Sequence, residues 1–316
     1  MPVYEVWVAG ATAWKWRGHT DKVFGLGLVK PDSTNTGVPA GTTLTRHDGD
    51  QVITVAGTVI DGWEIYGNLQ IHAANVVVRN TKVRGQQSTA TSDARLIDAV
   101  SGSCSNLLVE DCEVVADYPS LYLTGVYGHD MTVRRTHIHG TVDGFGLMTG
   151  TLSNVLEANL VEQLTYFSPD PTHADNKSHN DCIQIFSGAG HTIVGNTLHS
   201  YLSTTAGTLG SSTVAPPSGN QGLSCLLANA AGITGLVFTD NWCEGGGIPV
   251  NLTGANLTAG SNIGTFYRNK FDGNPVYTSP MQTIQIKTGL TYDAGGGTAN
   301  KNTMISDGSE IVVRFL

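Results

Sequence analysis

The sequence predicts an all-β chain: a right-handed parallel β-helix of about eight to ten coils, with long inserted loops and a short N-terminal segment. Three observations predict it: the composition, a ten-residue repeat, and the unequal spacing of that repeat. Of 316 residues, 39 are glycine and 14% are charged, while 40% are hydrophobic. Such a mix suits many short strands joined by tight turns.

The repeat shows in eight segments: TVIDGWEIYG from Thr58, VVVRNTKVRG from Val76, LLVEDCEVVA from Leu107, MTVRRTHIHG from Met131, NVLEANLVEQ from Asn154, HTIVGNTLHS from His191, LVFTDNWCEG from Leu236 and GTFYRNKFDG from Gly264. Each is apolar at its third and eighth positions, with a polar bend between, and the sixth position is Asn at Asn159, Asn196, Asn241 and Asn269. One strand–turn–strand unit cannot bury its own apolar face, whereas stacked units share a continuous core. Asn is expected at the bend because its amide tolerates left-handed backbone, bonds the main chain and stacks into ladders. Third positions lie from 18 residues apart (Ile60 to Val78) to 45 apart (Ile193 to Phe238). A solenoid with insertions at Gly85–Ser101, Thr165–Asn180 and Tyr201–Gly222 accounts for this. An antiparallel sandwich also has many short strands, but it does not account for the constant apolar–bend–apolar phase.

Four regions follow. Residues 1–30 hold Trp7, Trp14 and Trp16 and read as a cap or an attachment segment. Residues 31–45 read as a Pro/Gly/Thr linker, 46–273 as the β-helix and 274–316 as closing strands. A formal charge of −9 argues against nucleic acid as a partner. No run approaches a membrane span, and the first residues lack the pattern of a signal peptide. The five cysteines include no CxxC pair and are expected as buried free thiols.

Candidate chemistry gathers at one place. Asp143 and Asp181 start equivalent strands of consecutive coils, so their carboxyls are expected as neighbours about 4.8 Å apart. Two such groups push one pKa up and give the acid and base that glycoside hydrolysis needs. The run SPDPTHADNKSHND adds His173, Asp175 and His179 as candidate catalytic groups, His suiting a proton shuttle. The alternative for Asp181 and His179 is a turn cap. Gln184, His139, Tyr166 and Phe167 are candidates for holding sugar rings. No cofactor is expected; a set of His, Asp and carbonyl groups could hold a divalent cation, but the spacing fits no specific metal motif.

The blocks NTGVPAGTTLT, GTVIDGWEIYGNLQIHAANVVVRNTKVRG and SPDPTHADNKSHNDCIQI resemble the β-helix minor tail proteins of actinobacterial phages. The central blocks also resemble β-helix domains of the pectate-lyase-like superfamily. The likeness spans roughly residues 30–300. It implies a virion tail component, made in the host cytoplasm and homotrimeric. Such a component would bind a host cell-wall polysaccharide and meet other tail proteins through its N-terminal segment. Relatives of this architecture include polysaccharide depolymerases, hydrolases or lyases, but neither the paired-Asp motif of polygalacturonases nor the Asp/Arg set of pectate lyases is found here. A secreted wall-binding protein is a third reading.

Overall fold

The computed structural model describes residues 5–6, 13–16, 23–25, 29–87, 94–167, 169–200, 224–272, 283–294, 300–311 and 313–316. The chain forms two compact units, Met1–Lys30 and Pro31–Leu316. The first holds a three-stranded antiparallel sheet of Glu5–Val6, Ala13–Trp16 and Val23–Gly25.

The second unit is a right-handed parallel β-helix. Its strands fall into three parallel sheets of 10, 10 and 9 strands. Sheet one starts at Thr45–Asp48, sheet two at Gln51–Ile53 and sheet three at Val59–Asp61, in the order the chain visits them. The sequence repeat is the rung register. The third positions, from Ile60 through Val78, Val109, Val133, Leu156 and Ile193 to Phe238 and Phe266, align in one column of sheet three. The eighth positions, from Ile65 to Phe271, align likewise in sheet one. Both columns are fully buried. Parallel sheets closed on one core bury every inward position, so each column is apolar along its length.

Between these columns runs an asparagine ladder. The Oδ1 of Asn196 accepts both the backbone N–H and the Nδ2 of Asn159, each at 2.9 Å. Asn241 does the same for Asn196, Asn269 for Asn241, and Asn302 for Asn269. Each Nδ2 also donates to a carbonyl of the preceding coil, such as Val133 or Phe238. Thr136 closes the ladder by donating its N–H to Asn159.

One expectation is corrected. The left-handed residue of the bend is the fifth position, not the sixth. It is Gly62, Asn80, Asp111, Arg135, Ala158, Gly195, Asp240 and Arg268 in successive coils. The ladder asparagines are there for their hydrogen bonds, which need a buried amide pointing inward. The preceding residue points outward and takes the backbone strain. Arg135 pairs there with Asp111 at 2.6 Å, and Arg268 with Asp240 at 2.6 Å.

Three further differences appear. The region read as a linker is packed along sheet one: Thr197 Oγ1 donates to the Pro31 carbonyl at 2.8 Å, and Gly37 N–H to the Arg135 carbonyl at 2.9 Å. Gly37 has φ +82°, and a Cβ on it would lie 3.3 Å from His137 Cβ, so a glycine suits this crossing. The insertion expected at Gly85–Ser101 contains a strand of sheet two, Ala94–Ala99. The region read as closing strands continues the solenoid beyond residue 273: Ile284–Ile286 and Val313–Phe315 are successive parallel rungs of sheet two, and Asn302 carries the ladder into that region. The insertion at 201–222 lies outside the described residues. Among the described residues no helix is long and apolar enough to cross a membrane.

Candidate functional site

The register of sheet two builds the site. Phe145 pairs with Ile183, and Asp181 bridges to Ser224, so Asp143, Asp181 and Ser224 occupy one column on three consecutive rungs. Gly144 makes this approach possible. A Cβ there would fall 2.5 Å from the Cys182 carbonyl oxygen, and Gly144 N–H donates to the Asp181 carbonyl at 2.9 Å.

Asp143 Oδ1 accepts the N–H of Asp181 at 2.8 Å. Burial pushes the Asp143 carboxyl up to about 7, against the Asp181 N–H and the charge of His173, which favour ionisation. Asp181 is 2% exposed. Burial, then the charge of Asp143, drives its carboxyl well above the usual range, although Ser224 hydrogen-bonds to it. Its Oδ1 is buried without a hydrogen-bond partner. Two acceptors on adjacent rungs cannot satisfy each other unless a proton lies between them, so the pair titrates as a unit. Asp143 keeps a partly exposed side, while Asp181 does not. Asp181 as it sits is therefore no solvent-facing acid or base.

The loop 165–180 supplies the surroundings. Asn180 is its clasp: Nδ2 donates to the carbonyls of Val142 at 2.9 Å and Thr165 at 2.8 Å, and Ser178 Oγ donates to its Oδ1. Within His179–Asn180–Asp181, the middle residue is structural. His173 Nδ1 lies 2.8 Å from Asp170 Oδ2, and Thr172 donates twice to Oδ1 of the same carboxyl. Burial opposes ionisation of Asp170, but these hydrogen bonds outweigh it and hold its carboxyl below the usual range. The rings of His173 and His179 stack at 4.0 Å, and His179 Nε2 lies 3.3 Å from Asp175. The fold thus brings Asp143, Asp181 and His173 together, with His179 and Asp175 on the outer side of the loop. Among the described residues, no group of three or more His, Cys, Asp or Glu is arranged to hold a metal ion.

The candidates for holding sugars separate. His139 belongs to sheet one, where its Nε2 lies 3.0 Å from Glu113 and its ring stacks on His137 at 4.4 Å. Tyr166 is 7% exposed and packs into the core, so it offers no platform. Phe167 is half-buried, with its N–H held by Ser178. Gln184 does face outward. It stands in a row of sheet two that runs Asp98, Tyr127, Gly146, Gln184 and Leu227.

That row holds what sequence reasoning missed. The Tyr127 ring lies flat over Gly146, where a Cβ would meet its Cδ2 at 2.1 Å. The Arg95 guanidinium sits 4.2 Å from the ring centroid, and Phe186, 37% exposed, lies 5.1 Å from it. Arg95 also reaches Asp98 at 3.1 Å. Arg95 pairs with Thr124, and Thr124 with Asp143, so the aromatic row and the carboxyl column share strands. A glycine directly below a tyrosine on the neighbouring rung is the one sequence signal that points to this surface.

No family model, curated protein or solved structure matches this chain.

Proposed function

We propose that the chain binds a polysaccharide along the outward face of sheet two, as the part of a phage tail that meets the host cell surface. The observation that carries the binding reading is the Tyr127 ring seated on Gly146, with the Arg95 guanidinium over the ring and Phe186 beside it. A sugar ring offers an apolar C–H face to an aromatic ring and hydroxyls to nearby amides and carboxyls. Gln184, Thr124 and Asp143 provide the polar partners. The tail assignment rests on the resemblance of the blocks from Asn35 and Ser168. A homotrimer would multiply weak glycan contacts by avidity. Residues 1–30 would join it to other tail proteins.

The test is binding of purified host cell-wall polysaccharide by calorimetry, with Tyr127→Ala and Phe186→Ala. Each loss should weaken binding about five- to tenfold with the melting temperature nearly unchanged. Unaltered binding in both variants would overturn the reading.

A second reading, a polysaccharide depolymerase, is favoured by the coupled carboxyls. Asp143, partly exposed and raised to about 7, has the character of a general acid at neutral pH. Asp181 would tune it, and His173, oriented by Asp170, would exchange protons beside it. Release of reducing ends or unsaturated uronate from the same polysaccharide tests this. Activity abolished by Asp143→Asn, with the fold unchanged, supports it. No release between pH 4 and 9 removes it.

A further inference from the structure

Three of the five thiols meet inside the solenoid. Cys182 and Cys225 sit between the Asp181–Ser224 bridge and the Gln184–Leu227 pair, so they are register neighbours on adjacent rungs. Cys182 N–H donates to the Ser224 carbonyl at 2.9 Å. Cys243 lies in sheet one, paired with Leu198, and the Cys225 sulfur bonds the Leu198 carbonyl at 3.2 Å. Ser200 Oγ lies 3.8 Å from the same sulfur. All three are fully buried and none is in a disulfide. Cys112 is also fully buried, but its thiol bonds the carbonyl of Glu110 at 3.1 Å.

We propose that Cys182 and Cys225 are a site of oxidative cross-linking that locks the coil bearing Asp181 to the next one. Adjacent parallel rungs hold their Cα atoms about 4.8 Å apart, inside the window that a disulfide spans. Cys243 approaches Cys225 across the core from another sheet, and no shared register sets their separation. Either thiolate can attack first once folding or local opening exposes it, and the route through Cys225 is one of two equivalent routes. The oxidant is a small disulfide such as oxidised glutathione. The Cys225 thiolate attacks one of its sulfurs, the S–S bond breaks, and one glutathione thiolate leaves. The Cys182 thiolate then attacks the Cys225 sulfur of the mixed disulfide and expels the second glutathione. Two protein thiols are oxidised by two electrons, one glutathione disulfide is reduced, and the two thiol protons go to solvent. Because these sulfurs are shielded from solvent, the reaction belongs to folding or to local opening. The link would join the neighbours of Asp181 and Ser224, and so fix the carboxyl column at its base.

The experiment is refolding of the reduced full chain in a glutathione redox buffer. Free thiols are then alkylated and the peptides mapped without reduction. A Cys182–Cys225 peptide is expected, together with a higher urea midpoint that dithiothreitol reverses. Cys243→Ser should leave the link in place. Cys182→Ser, with an unchanged far-ultraviolet spectrum, should remove both the link and the shift. Complete alkylation of all five thiols would overturn the proposal, as would a Cys225–Cys243 link.

Discussion

Two columns of like polar side chains run up this solenoid, and they behave oppositely. The asparagine column, Asn159 to Asn302, repeats one residue on five successive rungs, all buried and all hydrogen-bonded. The carboxyl column, Asp143 and Asp181, manages two rungs, and the second leaves a buried oxygen unpartnered. Rung spacing is the same in both. What differs is that an amide donates and accepts, so each copy satisfies the next, whereas a carboxylate only accepts. Repetition is therefore stable for amides and strained for carboxylates. A column that strains itself on a partly exposed face is a candidate for chemistry.

The largest expected effect comes from turning one column into the other. Asn196→Asp removes the donors that reach the carbonyls of Leu156 and Val194 and the Oδ1 of Asn241. It also places a carboxyl against Asn241 Oδ1 in the core. A loss of about 3–5 kcal/mol is expected from the urea midpoint at pH 7. Asn196→Thr should cost less, about 1–3 kcal/mol, because Thr81 and Thr136 already fill this column in earlier coils. Equal losses for the two variants would mean that cavity size, not the missing donor, dominates.

The reverse exchange, Asp181→Asn, should make the carboxyl column more like the ladder. Both carboxyls have folded pKa values above their unfolded ones. Their stabilising contribution is complete below the unfolded value near 3.8 and is lost as pH rises through the folded value, about 7 for Asp143. The native chain should therefore lose stability from pH 5 to pH 9 through this pair. Asp181→Asn should flatten that slope, gaining about 1–2 kcal/mol at pH 9 and little at pH 5. Melting curves across that range decide it; parallel profiles for the two proteins would show that the pair is not the titrating element.

The two columns also differ in how much of them the sequence discloses. Apolar third and eighth positions and the sixth-position asparagines recur at fixed phase, so the core and the ladder can be read directly. Asp143 and Asp181 could be aligned by counting back from Leu156 and Ile193, which places them on neighbouring rungs. Their burial could not be read, because it depends on how the loop 165–180 folds back through Asn180 onto Val142. Arg95 and Phe186 were missed for a related reason. Arg95 sits in a strand inside what reads as a Gly/Ser/Thr insertion, and Phe186 follows the alternating strand Ile183–Ile185 at its edge. Long-range register, not local pattern, puts them beside Tyr127.

The smallest effect isolates the ladder from the turn that presents it. The left-handed position before each ladder residue is eased in two ways. Glycine removes the strain at Gly195, and ion pairs or hydrogen bonds offset it at Asn80, Asp111, Arg135, Asp240 and Arg268. Ala158, at φ +53°, has neither device. A left-handed alanine costs about 1–2 kcal/mol, and glycine gives back roughly half of that in unfolded-state entropy. Ala158→Gly should thus stabilise the fold by about 0.5–1 kcal/mol. Arg135→Gly should gain nothing, since relief of strain is offset by loss of its pairs with Asp111 and Glu110. If Ala158→Gly destabilises, the turn is held by its neighbours so tightly that its own conformational preference no longer matters, and the ladder's hydrogen bonds alone set the geometry.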